Sequence, residues 1–198
     1  EIRALRVLPG HDFDIDERAV HDFFSFGHVQ KPRSIFAQVR SLEPGHVLHI
    51  GPTGTAACHA FWRPRFRIRE GLSEDDWIEE TRERVLRTVG QHMLADVPVG
   101  VFLSGGVDSS TNAALFSQGD TQRVRTFTIG YDGDYPSYRN ELSHARFMAE
   151  QVGADHHERL LSLDDLIAFL PRMVALQDEP IADPVCVPVF YVSQLARQ

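Results

Sequence analysis

The chain is 198 residues long, 42% hydrophobic, and carries a formal net charge of -8, which gives it one sizeable core and room for part of a second domain. With an acidic balance and no dense run of basic residues, a nucleic-acid-binding surface is excluded and small-molecule partners are expected. No apolar run reaches the length of a membrane span and no signal-peptide pattern opens the segment, so a cytoplasmic protein is expected. Cys58 and Cys186 lie far apart with no metal-like spacing and are read as structural thiols of a reducing compartment. Lys31 is the only lysine. The chain starts at Glu1 and stops inside an expected helix, and is therefore read as an internal segment of a longer protein.

In chain order, residues 1–69 read as loops and strands, and 70–198 as alternating strands and amphipathic helices, with a domain boundary near residue 70. "GHVLHI" and "TAACHAFW" flank the turn cluster "GPTG", a β-hairpin signature. In "SEDDWIEETRERVLRTVGQHML" the spacing of Ile78, Thr81, Val85, Val89 and Met93 predicts one helical face, with Ser73 as N-cap and Asp76 three residues later. The apolar run "VPVGVFL", 97–103, reads as a strand covered on both faces. A helix follows in "SSTNAALFSQ", then a strand in "VRTFTIGY" and a helix between Asn140 and Gly153. "HHERLL" reads as a third strand, "SLDDLIAFLPRMVALQ" as a helix interrupted around Pro171, and "VPVFYVSQLAR" as a last helix. Strand and helix alternating at this spacing imply βαβ units, an α/β fold with a parallel sheet, and ligands at the carboxyl ends of its strands.

One such end is "GVFLSGGVDSS". Gly105 and Gly106 can adopt backbone angles closed to other residues, so successive N–H groups can point into one concavity. Ser104, Ser109 and Ser110 add hydroxyls, and the helix that starts near Asp108 directs its positive end to the same spot. A helix end contributes about 0.5–2 kcal/mol, whereas micromolar binding takes about 8 kcal/mol, so a nucleotide needs a metal and further cationic groups as well. No Lys-Ser or Lys-Thr follows the glycines, and the pattern is not G-x-G-x-x-G. An aspartate within a phosphate loop repels its ligand unless magnesium lies between them, which makes Asp108 a candidate metal ligand. The alternative is a plain strand-to-helix turn with Asp108 as N-cap.

"LSGGVDSS" resembles the Ser-Gly-Gly-x-Asp-Ser pyrophosphate loop of the N-type ATP pyrophosphatases, ligases that split ATP between its α and β phosphates. "RTFTIGY", "NELSHARFMAEQVGADHHE" and "LQDEPIADPVCVPVFYVSQLAR" are similar in order and spacing to the synthetase domain of glutamine-hydrolysing asparagine synthetases, and "FFSFGHVQKPRSIFAQVRSLEPGHVL" resembles the last part of that family's glutaminase domain. The resemblance implies a PP-loop domain of the adenine nucleotide alpha hydrolase kind over 70–198, truncated, preceded over 1–69 by the β-rich end of an Ntn-type glutaminase domain. It implies ATP and Mg2+, and aspartate and glutamine-derived ammonia as small-molecule partners. Pyrophosphate then falls to Ser104, Gly105, Gly106, Asp108, Ser109 and Ser110, the adenine pocket to Phe102, Leu103, Phe127, Thr128 and Ile129, and metal to Asp108 and Asp183. Glu179 corresponds to the family's proposed base for amide formation.

The residues themselves allow other readings. Strand-core packing accounts equally for the apolar residues of the adenine pocket. "QDEPIAD" is broken by Pro180, so Asp178, Glu179 and Asp183 are expected on a loop at the sheet edge, with Asp183 alternatively an N-cap for the last helix. Glu141 and Arg146 read as solvated helix residues, and His156 and His157, adjacent on a strand, as structural residues pointing to opposite faces. Cys58 falls in a strand and cannot be the N-terminal nucleophile of an amidotransferase. A phosphate-clamping lysine and a second, Ser-Gly-Glu-Gly, phosphate loop are both expected beyond Gln198. Two further readings remain open: an adenylating relative with another acceptor (a β-lactam, lasso peptide or exopolysaccharide precursor), and a non-catalytic nucleotide-binding module.

Overall fold

The structure is a computed structural model that describes residues 1–10, 13–119, 123–133 and 140–198. Its contacts divide the chain into two units, Glu1–Ile68 with Leu170–Pro184, and Arg69–Phe169 with Val185–Gln198.

The first unit contains α1 (Ile2–Leu5), α2 (Glu17–Phe26) and a hairpin of β1 (His46–Ile50) and β2 (Ala56–Ala60). The hairpin pairs antiparallel in the register His46 with Ala60 through Ile50 with Ala56, where the turn cluster predicts it. The expectation of loops and strands alone is corrected by α2. The Asp16 side chain accepts from the Arg18 N–H and Gly27 closes the helix in the left-handed region, φ 75°. These are ordinary start and stop residues, legible around a run that buries Ala19 and Asp22. Residues 177–184 also belong to this unit, with Ile181 bridged antiparallel to His28 and the Ala182 N–H donating to Gly27 O at 2.8 Å.

The second unit is an α/β fold. The parallel sheet β3 (Gly100–Phe102), β4 (Arg125–Tyr131) and β5 (Asp155–Leu161) is connected through α4 (Val107–Gly119) and α5 (Leu142–Gln151). Val101, Leu103, Ala113, Val124, Ala145 and Ala149 form its core, where small alanines on α4 and α5 let the helices sit close to the strands. A helix α3 (Glu74–His92) precedes the sheet and α7 (Cys186–Ala196) packs on β4 and β5. The predicted capping box opens α3, with the Ser73 hydroxyl accepting from Asp76 N–H and the Asp76 carboxylate accepting from Ser73 N–H at 2.9 Å.

Four expectations are corrected here. The strand over 97–103 shortens to Gly100–Phe102, and Val97, Val99 and Phe102 are exposed, because β3 has a single neighbour, β4, among the described strands. Of the apolar face on α3 only Val89 is buried, while Ile78 and Val85 stay exposed. Pro171 does not interrupt its helix: α6 runs Leu163–Leu176. Proline removes one donor, and the carbonyl this frees belongs to Ile167, an exposed residue. Finally, α4 begins at Val107 and α7 is preceded by Val185 as N-cap, so neither Asp108 nor Asp183 is an N-cap.

Candidate active site

The turn after β3 is shaped by its own side chains. Gly105 has φ 80°, and a Cβ there would lie 2.5 Å from the Cβ of His144 and 2.7 Å from the N of Ala145, so a side chain is excluded both by conformation and by the start of α5. The Ser109 hydroxyl accepts from Ser104 N–H at 3.2 Å and lies 2.9 Å from the Ser104 hydroxyl, which itself accepts from Gly106 N–H at 3.3 Å. Two serines and two of the loop's amides are therefore spent on holding the bend, and this modifies the expectation that both hydroxyls face a ligand. Among the described residues, the N–H groups of Gly105, Val107, Asp108 and Ser109 have no protein acceptor. The last three are the orphan donors of the first turn of α4, where Val107 and Asp108 are exposed and Ser109 is half-buried. Ser110 continues the helix, its N–H donating to Gly106 O at 2.9 Å.

Beside this turn is a cavity of about 350 Å3. Its wall includes Phe102, Leu103, Phe127, Thr128 and Ile129, together with Ser104, and apolar residues of α7 close another side. The strand register explains the grouping, since Phe102 pairs with Phe127 and Leu103 N–H donates to Phe127 O at 2.9 Å. Thr128 is buried and its hydroxyl donates to Leu103 O, which satisfies both groups without using the cavity. Such a mostly apolar slot continuous with Ser104 is suited to a flat ring whose polar tail reaches the amides of that turn. Glu141 stands on the same wall.

Arg146 is exposed, as expected of a solvated residue, and it also has a partner on the sheet. Its guanidinium grips Glu158 of β5 with bonds of 2.6–3.0 Å, and His156 Nε2 lies 2.9 Å from the same carboxylate. Burial opposes the Glu158 charge, but Arg146 and His156 outweigh it and hold the carboxyl below the usual glutamate range. His156 also meets the buried Thr126 hydroxyl at 2.8 Å, while His157, on the other face, stacks on Phe127 with centroids 5.3 Å apart. This network ties α5 to the sheet. Sequence spacing on one helix does not reveal it, because the partner comes from a strand.

Asp178, Glu179 and Asp183 lie on a loop of the first unit. Asp178 accepts from Ile2 N–H at 2.8 Å and Arg3 N–H at 3.2 Å. Glu179 accepts from Lys31 Nζ at 2.8 Å and from Ile35 N–H at 3.0 Å. Among the described residues, no three His, Cys, Asp or Glu side chains form a metal cluster.

A parallel sheet with a Ser-Gly-Gly-Val-Asp-Ser turn at a strand end and an apolar slot beside it defines an α/β domain of the PP-loop class, here following the β part of a glutaminase domain. The family model for asparagine synthase matches residues 80–198 and that for a glutamine amidotransferase domain matches 1–62. The chain belongs to the asparagine synthase family. It is 30% identical over 196 residues to an asparagine synthetase (glutamine-hydrolyzing) of Bacillus subtilis, covering 99% of this chain. A putative asparagine synthetase (glutamine-hydrolyzing) of Mycobacterium bovis is 36% identical over 194 residues, 96% of this chain. An amidase, chry2, of Gibberella zeae is 32% identical over 166 residues, 76% of this chain. The chain spans 30% and 29% of the length of the first two relatives.

Proposed function

We propose that this chain is part of an ATP-dependent, amide-forming ligase that converts aspartate to asparagine through a β-aspartyl-AMP intermediate, releasing AMP and pyrophosphate. The observation that carries the proposal is the set of amides at Val107, Asp108 and Ser109 without a protein acceptor among the described residues, next to a cavity lined by Phe102, Leu103, Phe127, Thr128 and Ile129. In this reading the slot takes adenine, and these amides with that of Gly105 take the pyrophosphate end, Gly106 leaving room for it. The aspartate side-chain carboxylate oxygen attacks the α-phosphorus and the P–O bond to pyrophosphate breaks. Ammonia derived from glutamine then attacks the acyl carbon, AMP leaves, and Glu179 accepts the proton lost by nitrogen.

The donor set around the turn fits a hard divalent cation only in part: Asp108 offers one exposed carboxylate, and no all-protein cage surrounds it among the described residues. That suits magnesium, which binds through one or two carboxylates plus substrate phosphates. Asp108 and, by family resemblance, Asp183 would hold it. Once bound, it would offset charge on the departing pyrophosphate.

The test uses the longest natural protein that carries this chain. Aspartate-dependent exchange of labelled pyrophosphate into ATP is expected with magnesium and is expected to vanish in Asp108→Ala. Undiminished exchange in that variant rejects the metal role. A second reading keeps the adenylation and changes the acceptor, and it is supported by relatives named amidases. AMP release with a carboxylate other than aspartate, and none with aspartate, would favour it.

A further inference from the structure

The contacts around Glu179 belong to a compact polar cluster. Glu179 is a carboxylate with only 19% of its side chain exposed, and its two oxygens have separate partners: Oε1 takes the N–H of Ile35 at 3.0 Å and Oε2 takes the ammonium of Lys31 at 2.8 Å. The same ammonium donates to the Ser41 hydroxyl at 2.9 Å. Residues on either side of Lys31 in sequence are held by one buried acid. Asp22 on α2 accepts from Gln30 N–H at 3.3 Å and from the Arg33 guanidinium at 2.5 Å and 3.2 Å. Immediately flanking Glu179, the backbone is fixed by Asp178 on the N–H groups of Ile2 and Arg3, and by the pairing of Ile181 with His28.

A lone ion pair between a half-exposed lysine and a glutamate contributes little to stability, so stability alone does not account for this much organisation. Orientation does. A carboxylate has four lone-pair directions. Two are used here, one on each oxygen, which fixes the plane of the group while leaving each oxygen able to accept a proton. A base must be held within hydrogen-bonding reach of the proton it removes, and an error of about 1 Å costs on the order of a hundredfold in rate.

We propose that Lys31 is a positioning residue for Glu179. It fixes the plane of the carboxylate from the glutaminase side of the chain, so the stretch matched to the glutaminase family sets the readiness of the amide-forming step. The proposal rests on the reading of Glu179 as the base.

The experiment compares wild type, Lys31→Met and Lys31→Arg in the longest natural protein carrying the chain. Three quantities are read: amide hydrogen–deuterium exchange of peptides covering 177–184, aspartate-dependent pyrophosphate exchange into ATP, and asparagine formed from ammonium chloride. Lys31→Met is expected to lose protection in 177–184 and to lower kcat for amide formation about tenfold or more, with pyrophosphate exchange within about twofold of wild type. Lys31→Arg, which keeps charge and reach, is expected to recover most of both losses. Wild-type protection or wild-type kcat in Lys31→Met overturns the assignment, and so does an equal fall in pyrophosphate exchange and amide formation. Absence of aspartate-dependent exchange in the wild type overturns instead the function proposed above, so the two failures are distinguishable.

Discussion

Gly105 and His144 approach so closely that a single added Cβ on the glycine would lie 2.5 Å from the Cβ of the histidine. The glycine also sits at φ 80°. Substituting alanine therefore adds left-handed strain to a steric clash with α5, and Gly105→Ala is expected to lower stability by about 2–4 kcal/mol. Urea unfolding measures this, and a change below about 1 kcal/mol would show that the loop has room to move.

The second glycine behaves differently. A Cβ on Gly106 would meet only the Ser104 hydroxyl, at an ordinary 3.4 Å. No described residue forbids a side chain there, and in the proposed reading that space takes the ligand. Gly106→Ala is expected to fold with stability within about 1 kcal/mol of wild type while losing about tenfold or more in MgATP affinity by titration calorimetry.

Asp108 lies exposed in the first turn of α4. Asp108→Asn keeps its shape and removes its charge. The helix loses about 0.3–1 kcal/mol of favourable interaction with its dipole, a small change in a melting curve. Pyrophosphate exchange is expected to fall at every magnesium concentration, and a wild-type magnesium titration would remove the carboxylate from the cation's ligands.

Glu179→Gln preserves volume and hydrogen-bonding capacity for Ile35 but cannot take up a proton. Adenylation, read as pyrophosphate exchange, is expected to survive, and amide formation to fall about a hundredfold or more. Equal losses in the two steps would reject the role of base.

Acid should loosen the first unit through Asp22. Its hydrogen bond from the Arg33 guanidinium holds this carboxyl below the usual aspartate range. A carboxyl depressed in the folded state contributes stability above its unfolded value of about 3.9 and loses it as the pH falls through the folded value. Asp22→Asn is expected to be destabilised near neutral pH and to show a flatter stability profile below about pH 4, measured by thermal unfolding across pH.

Much of this was legible from local chemistry. The hairpin, the capping box at Ser73 and Asp76, the alternation of strands and helices and the glycine turn each rest on residues close together in sequence. What sequence reasoning missed depends on partners far along the chain. Arg146 finds Glu158 on a strand rather than a helical neighbour. With β4 its single neighbour among the described strands, β3 leaves Phe102 exposed. For α2 the flanking Asp16 and Gly27 were sufficient signals, obscured by the brevity of the segment between them. Lys31 gave one cue, its singularity, and no cue to its partner 148 residues away.

That partnership bears on how such proteins can be recombined. Residues 177–184 lie inside the stretch matched to the asparagine synthase family, yet Asp178, Glu179 and Ala182 bond to residues between 2 and 35, matched to the amidotransferase family. A chimaera joined near residue 69, with each half from a different parent, would pair the acidic loop of one lineage with the receptor surface of another. Grafts between relatives are therefore best made by exchanging 1–41 together with 170–184, as one inherited module in two pieces.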